Sequence, residues 1–164
     1  MKLIIGIAIV CFCGYCGVFF SKKYRKRKAF FGQFSSFNER FINEVSYYRR
    51  PLSDFANGFS YKGEFGALLF AYFDDLKQNS TKNSAMDRCF SAYDFLSSEE
   101  KKFTADYFQM LGAGDSHSQK SYFSGATSTL TEWKNKTSSD AEKYGGLYLK
   151  LGVLLGLTIL IVLI

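Results

Sequence analysis

The chain has 164 residues, with 21 Lys and Arg against 15 Asp and Glu, a formal net charge of +6, 18 Phe and 11 Tyr. This length allows one domain with added membrane segments, and the aromatic side chains suffice for a hydrophobic core. The charge does not indicate nucleic-acid binding, because residues 29–146 carry 13 Lys and Arg against 15 Asp and Glu, a net of −2. Apart from Lys2 and Lys150, the excess lies in a basic cluster made up of Lys22, Lys23, Arg25, Lys26, Arg27 and Lys28.

An apolar segment, residues 3–20, opens the chain, and the basic cluster follows it at once. At 1.5 Å per residue, these ~18 residues span roughly 27 Å as a helix, close to the thickness of the bilayer core. A single lysine precedes the segment and no small-x-small cleavage motif follows it, so we predict an uncleaved anchor rather than a signal peptide. Basic residues beside a span mark its cytoplasmic side and attract anionic headgroups.

A second apolar segment, residues 151–164, is uncharged and ends the sequence. Alone it would span only about 21 Å, but extension back to Leu147 restores the length if Lys150 reaches to the headgroups. We therefore predict membrane anchors at residues 1–21 and 147–164 around a cytoplasmic domain at residues 22–146. Both termini would then lie outside the cell membrane.

Apolar side chains in the first part of the middle domain recur at steps of three and four, as expected for one face of a helix. They are Phe30, Phe34, Phe37, Phe41, Val45 and Tyr48. The helix is expected to end at Arg50-Pro51, because the residue before proline disfavours the helical conformation. Residues 52–57 are expected to add one short helical turn, which Gly58 would close.

Further helices are predicted along the rest of the domain. A third carries Phe65, Leu68, Leu69, Tyr72, Phe73 and Leu76, and the polar residues 78–83 form a loop. A fourth covers residues 84–95, and a capping box of Ser97 and Glu100 opens a fifth that carries Phe103, Tyr107 and Met110. The last, capped by Asp115 or Ser116, carries Tyr122, Ala126, Leu130 and Trp133. It could run on into the membrane, unless Gly145-Gly146 kinks it. The predicted fold is all-α: about six helices in a cytoplasmic bundle, flanked by N- and C-terminal transmembrane helices.

Cysteine spacing raises one chemical possibility. Cys13 and Cys16 have the spacing of a dithiol redox motif, but they fall within the first anchor, with Cys11 beside them. We interpret all three as small apolar residues in lipid, because a reactive dithiol sits at the exposed start of a helix. Cys89, alone in the soluble part, suits a reducing compartment.

No other motif predicts catalysis. His117, the one histidine, lies beside Asp115 and Ser116, but neighbours at a helix start point in different directions and serve as caps. Metal-ligand spacing and a glycine-rich phosphate loop are absent from the sequence, so no metal, cofactor or enzymatic activity is predicted. The pairs Asp74-Asp75 and Glu99-Glu100 are expected at exposed helical faces or caps.

Motifs along essentially the whole chain resemble those of the stage III sporulation protein AB family of endospore-forming Firmicutes. Residues 43–47, followed by Pro51-Leu52, are similar to the Glu-Ile-x-Tyr stretch and Pro-Leu turn of that family. Residues 96–100 and 108–112, with Asp115 and Gln119, are similar to its Leu-Gly-x-x-Asp-x-x-x-Gln signature. Lys143-Tyr144 and residues 150–156 resemble its closing span. The chain departs from the family in a Phe- and Ser-rich first soluble helix, in lacking Trp near Phe90, and in Tyr48 where glycine is usual, which leaves the details of any contact surface open.

This resemblance implies a place in the channel that links mother cell and forespore after engulfment. The family's cytoplasmic domain is similar to the F-domain of type II secretion and type IV pilus platform proteins, a six-helix bundle positioned over a hexameric ATPase. The expected partners are therefore the membrane, the stage III sporulation protein AA ATPase and other channel proteins of the same operon. The expected location is the mother-cell membrane facing the forespore.

The resulting hypothesis is a non-enzymatic platform that docks this ATPase. Its candidate contacts are Tyr47, Arg49, Arg50, Glu99, Glu100 and Asp115. One alternative is a membrane-anchored thiol oxidoreductase that uses Cys13 and Cys16. Another is an adapter whose basic cluster senses anionic lipid. A homo-oligomer is compatible with each.

Overall fold

The computed structural model describes residues 2–47, 61–77, 83–111 and 116–163. Within these ranges the secondary structure is helical, without strands, and comprises five helices. They are α1 (Lys2–Tyr47), α2 (Gly63–Lys77), α3 (Asn83–Ala92), α4 (Ser98–Met110) and α5 (Ser116–Leu163). The all-α prediction is confirmed. A count of six is not, because the short helix predicted at residues 52–57 lies outside the described residues.

The chain divides into two compact units. The first, here called the helix pair, comprises Met1–Lys28 and Asn135–Ile164, and the second, the bundle, comprises Ala29–Lys134. Helices α1 and α5 each supply residues to both units. These limits describe packing. The predicted boundaries at residues 21 and 147 describe where a bilayer would begin, and they stay a prediction.

The aromatic face predicted for α1 forms the centre of the bundle core. Phe30, Phe34, Phe37 and Phe41 are all buried. The Phe34 ring stacks on Phe65 of α2 with centroids 5.1 Å apart. It also meets Tyr107 of α4 edge to face, with centroids 4.7 Å apart. Burial of each such side chain contributes about 1.5–3 kcal/mol, so this one stripe supplies a large part of the folding free energy of the bundle.

A buried polar cluster lies within this aromatic core. The Asn38 side chain is 1% exposed, and its amide nitrogen donates to the Phe123 carbonyl oxygen at 3.2 Å and to Thr127 Oγ1 at 2.9 Å. The Tyr107 hydroxyl donates to Asn38 Oδ1 at 2.8 Å. These bonds join α1, α4 and α5 at one level, because each buried polar group would be costly without its partner.

The capping box predicted at the start of α4 is confirmed. Ser97 Oγ accepts from the Glu100 backbone N–H at 3.3 Å, and the Glu100 carboxylate accepts from the Ser97 N–H at 2.8 Å. The expected location of Glu99-Glu100 at a helix cap is confirmed, but the expectation that both Glu99-Glu100 and Asp74-Asp75 are solvated is wrong for one member of each pair. Glu100 is 2% exposed and Asp75 is 7% exposed, because each faces inward from its helix while its neighbour faces solvent.

One helix boundary differs from the prediction. Helix α3 ends at Ala92 rather than at residue 95, because Tyr93 leaves the helix and its hydroxyl donates to the Glu64 carbonyl oxygen at 2.7 Å. The turn that follows buries Phe95 and Leu96 in the core. Helix α5 runs without interruption through Gly145-Gly146, as the first of the two predicted alternatives states.

Glycines set the packing of the helix pair. A Cβ atom placed on Gly17 would lie 2.7 Å from the Tyr148 carbonyl oxygen, and one on Gly152 would lie 2.6 Å from the Cys13 carbonyl oxygen. One on Gly156 would lie 2.9 Å from the Cα atom of Val10. Val10, Cys13 and Gly17 of α1 thus lie against Gly156, Gly152 and Tyr148 of α5, in that order, so the two segments are antiparallel. Their backbones are in contact, as small residues allow in membrane helices.

Candidate functional site

The surface of the helix pair is rich in exposed hydrophobic side chains. They include Phe12, Tyr15 and Phe19 of α1 and Leu154, Leu155 and Ile161 of α5. In the described part of the bundle, Phe70 of α2 is a large hydrophobic side chain that is as exposed as those of the helix pair, at 74%. Contiguous apolar surface of this kind is typical of a lipid-facing region, whereas a single exposed aromatic residue is compatible with a protein contact.

One helix in the described ranges is long and apolar enough to cross a bilayer, by length and composition. It is the stretch Lys120–Ile161 of α5, whose apolar part is largely exposed. Membrane association is therefore indicated at the C-terminal end. The N-terminal anchor does not pass the same test over the described residues, and it stays a prediction.

The basic cluster divides into two groups. Lys22, Lys23, Arg25 and Lys26 are exposed. Arg27 Nη1 lies 3.8 Å from Asp140 Oδ2, and Lys28 Nζ lies 3.3 Å from Glu142 Oε1. These last two side chains link α1 to α5 within the helix pair. The Lys28–Glu142 pair is exposed, and an exposed ion pair contributes only about 0.2–1 kcal/mol, whereas the Arg27 and Asp140 side chains are 24% and 26% exposed.

An aromatic cluster adjoins the basic cluster. Tyr24 stacks on Tyr148 with ring centroids 5.7 Å apart and lies 5.5 Å from the ring of Tyr144. Phe20 packs on Tyr148 at 5.8 Å. Aromatic rings with one apolar and one polar edge favour the level of the lipid headgroups. Sequence reasoning missed this cluster, although tyrosines beside the ends of both apolar segments were the available signal.

The cysteines are free thiols. Cys13 and Cys16 lie well inside α1, which begins at Lys2, rather than at the start of a helix. Cys89 in the bundle is half-buried, and burial raises the pKa of its thiol, which also contacts Tyr93. These environments favour unreactive thiols. Among the described residues, no group of three or more His, Cys, Asp and Glu side chains could hold a metal ion.

The residues predicted to contact a partner lie in different environments or outside the described residues. Glu99 is exposed at the start of α4, whereas Glu100 is buried and engaged in the capping box, so it offers no surface carboxylate. Tyr47 is the last residue of α1, and its side chain lies outside the described set. Arg49, Arg50 and Asp115 lie outside the described residues. Of the six candidates, the structure therefore describes the side chains of Glu99 and Glu100, and a shared surface stays a prediction.

In the part of the chain that the structure describes, the protein is all-helical, with an aromatic-core bundle and a tightly packed pair of apolar helix segments. One of these segments belongs to a helix that is long and apolar enough to cross a membrane. The sequence profile of one family, stage III sporulation protein AB, matches residues 2–164. The chain belongs to this family and is therefore a sporulation-related protein. Neither a curated protein nor a solved structure matches the chain.

Proposed function

We propose that this protein is a non-enzymatic membrane platform of the mother cell–forespore channel, with its bundle in the cytoplasm to dock the stage III sporulation protein AA ATPase. The observation that carries the proposal is the antiparallel pairing of the two apolar ends of the chain, next in sequence to a bundle with its own aromatic core. Family membership supplies the connection to sporulation.

The pairing supports two anchors rather than one. Residues 10–17 lie against residues 148–156, backbone to backbone, so a bilayer around the apolar part of α5 would also surround this part of α1. Two antiparallel spans place both termini on one side. The basic cluster and the tyrosines then lie at the other, cytoplasmic, face, where anionic lipid and interfacial water suit them.

The proposed docking surface on the bundle contains exposed residues of more than one helix. Phe70 of α2 is an aromatic side chain that the core does not use, and aromatic residues dominate the binding energy of many interfaces. Glu99 of α4 is an exposed acidic group able to set orientation and association rate. Tyr47, Arg49, Arg50 and Asp115 remain candidates for the same surface.

Sidedness is the first test of this proposal. Because Cys89 is half-buried, a better reporter is a cysteine at the exposed Ser91, in a chain whose four native cysteines are replaced with alanine. An impermeant maleimide is added to intact cells, to inverted vesicles and to denatured protein. Labelling in inverted vesicles but not in intact cells is expected. Labelling in intact cells places the bundle outside and overturns the platform.

ATPase capture is the second test. Full-length protein in detergent is immobilised and the purified ATPase is passed over it. Phe70→Ala is expected to weaken capture about thirtyfold or more, since truncation of an interface hot spot costs at least about 2 kcal/mol. Glu132→Lys, at an exposed position of α5, serves as the matched surface variant for Glu99→Lys. Capture that neither Phe70→Ala nor Glu99→Lys alters excludes this surface.

The two alternatives have separate tests. Replacement of Cys13 and Cys16 with alanine leaves sporulation intact if they are small apolar residues, and abolishes it if the protein is a thiol oxidoreductase. If the protein is a lipid-sensing adapter, neutralisation of Lys22, Lys23, Arg25 and Lys26 abolishes sporulation while the orientation of the protein in the membrane stays unchanged. The exposure of these four side chains is the observation that favours the adapter over the oxidoreductase.

A further inference from the structure

The helix pair contains an apolar cleft of about 330 Å³ between its two segments. Its walls are Phe12, Cys13, Cys16, Gly17 and Phe20 of α1 and Tyr148, Leu151, Gly152 and Leu155 of α5. The volume lies at the lower end of the roughly 300–1,000 Å³ found for small-molecule sites. The lining is almost wholly apolar, so the cleft suits a hydrocarbon ligand.

The shape of the cleft favours a flexible chain over a third helix. A helix that docks in a membrane needs small residues that admit its backbone. Gly17 and Gly152 line the floor, but each is already occupied by the backbone of the facing segment. The rims are large exposed side chains, Phe12 at 68% and Leu155 at 58%, which would hold a helix away but can close around an acyl chain.

Polar groups stand at one end of the cleft. Lys23 is exposed and lies three residues after Phe20 and seven after Cys16, so the three share a helix face. At the same end, the ring of the wall residue Tyr148 contacts Tyr24 of α1, which in turn contacts Tyr144 of α5. Lys22, also exposed, lies two residues after Phe20, about 160° round the helix at roughly 100° per residue.

We propose that this cleft binds one acyl chain of an anionic phospholipid, whose phosphate-bearing headgroup Lys23 and the tyrosine hydroxyls contact. The inference rests on the membrane position in the proposed function and assigns a ligand to that region. It gives one member of the basic cluster a specific role, because the ammonium group of Lys23 is the exposed charge on the cleft face of α1. The other exposed members of the cluster add positive charge that attracts anionic lipid.

The test is native mass spectrometry of the full-length protein in detergent, with phosphatidylglycerol and phosphatidylcholine of equal chain length present in equal amounts. Wild type is expected to retain one lipid, with phosphatidylglycerol favoured. Cys16→Phe fills the cleft and is expected to lower lipid retention at least tenfold. Val18→Phe adds the same ring on the opposite face of α1 and is expected to retain the lipid as wild type does.

A second pair of variants tests the headgroup contact without a change in packing. Lys23→Gln is expected to reduce the preference for phosphatidylglycerol about fivefold while lipid retention persists, since one lysine near anionic lipid contributes a factor of that order. Lys22→Gln is expected to leave the preference unchanged. Equal retention by Cys16→Phe and Val18→Phe, or equal loss of preference in Lys23→Gln and Lys22→Gln, overturns the proposal.

This measurement needs neither the ATPase nor an oriented membrane. If the paired variants bind lipid equally while the bundle is labelled on the cytoplasmic side, the cleft site is excluded and the platform proposal is unaffected. If the bundle is labelled on the outer side while the paired variants differ in lipid binding as expected, the platform proposal is excluded and the cleft site is unaffected.

Discussion

The buried polar cluster of the bundle predicts a measurable coupling between Asn38 and Tyr107. Their hydrogen bond, 2.8 Å from the Tyr107 hydroxyl to Asn38 Oδ1, lies among aromatic rings and away from water. Desolvation by burial raises the pKa of the Tyr107 hydroxyl well above its usual value, so this group stays a neutral donor at any physiological pH. We consider Tyr107→Phe, Asn38→Leu and the double variant.

Each single substitution leaves one member of the Asn38–Tyr107 pair without its partner, and Asn38→Leu also removes the amide donor to the Phe123 carbonyl oxygen and Thr127 Oγ1. Tyr107→Phe leaves Asn38 Oδ1 without a donor, and Asn38→Leu leaves the Tyr107 hydroxyl without an acceptor. Either change is expected to lower the free energy of unfolding by about 1–3 kcal/mol. The double variant removes both polar groups, so its loss is expected to be smaller than the sum of the single losses by about 1 kcal/mol or more.

Trp133 provides the assay. It is the one tryptophan in the sequence, and its ring packs against Phe103 at 4.9 Å and Phe31 at 5.2 Å within the bundle. Urea unfolding of the full chain in mild detergent, followed by Trp133 fluorescence, therefore reports on this unit. Tyr122→Phe is the control, since the Tyr122 hydroxyl forms no hydrogen bond with the described residues, and a change below about 0.5 kcal/mol is expected. Additive losses in the double variant, or a Tyr107→Phe variant as stable as wild type, would refute the reasoning.

Three further predictions concern packing, pH and surface charge. Gly152→Leu is expected to separate the helix pair, because its Cβ atom would meet the Cys13 carbonyl oxygen. Gly146→Leu is the control, because a Cβ atom at position 146 would have no neighbouring atom within 4 Å. A short bis-maleimide cross-link from Cys16 to a cysteine at position 151, with the other cysteines replaced by alanine, should be lost only in the former. Burial raises the pKa of Tyr72 to about 12, so the stability this neutral phenol provides is complete below pH ~10 and is lost as pH rises through ~12. Tyr72→Phe should flatten that alkaline decline in Trp133 unfolding curves, and an unchanged slope contradicts the assignment. Lys28→Ala should change the unfolding free energy by less than about 1 kcal/mol, because Lys28 and Glu142 are 45% and 71% exposed, and a larger loss would mean that the ion pair is stronger than its exposure implies.

Local patterns in the sequence predicted the elements well. The steps between Phe30, Phe34, Phe37 and Phe41 identified the buried face of α1, and Ser97 with Glu100 identified the start of α4. The same patterns failed for Glu100 and Asp75, whose burial depends on which side of the helix meets the core. The end of α3 at Ala92 also escaped prediction, since the Tyr93 hydroxyl binds a carbonyl group on another helix.

The candidate site shows the same division. The basic cluster and both apolar ends were evident from composition, but the pairing of Lys28 with Glu142, 114 positions away, was not. The aromatic cluster of Tyr24, Tyr144 and Tyr148 likewise depends on contacts between opposite ends of the chain. A hydrophobicity pattern predicts that a helix face will be buried, but it does not predict which residues will pack against that face.

The sequence by itself determined the all-helical class, the apolar ends, the position of the basic cluster and the family to which the chain belongs. These follow from periodicity, composition and short motifs, all of which are properties of neighbouring residues. The tertiary structure decided that Asn38, Tyr107 and Thr127 meet in the core, across separations of 69 and 89 positions. It also decided that Gly17 and Gly152 bring the two ends into backbone contact and leave a cleft beside them. The physical reason is that burial and hydrogen bonding are satisfied between distant segments, whose register is set only when the helices pack.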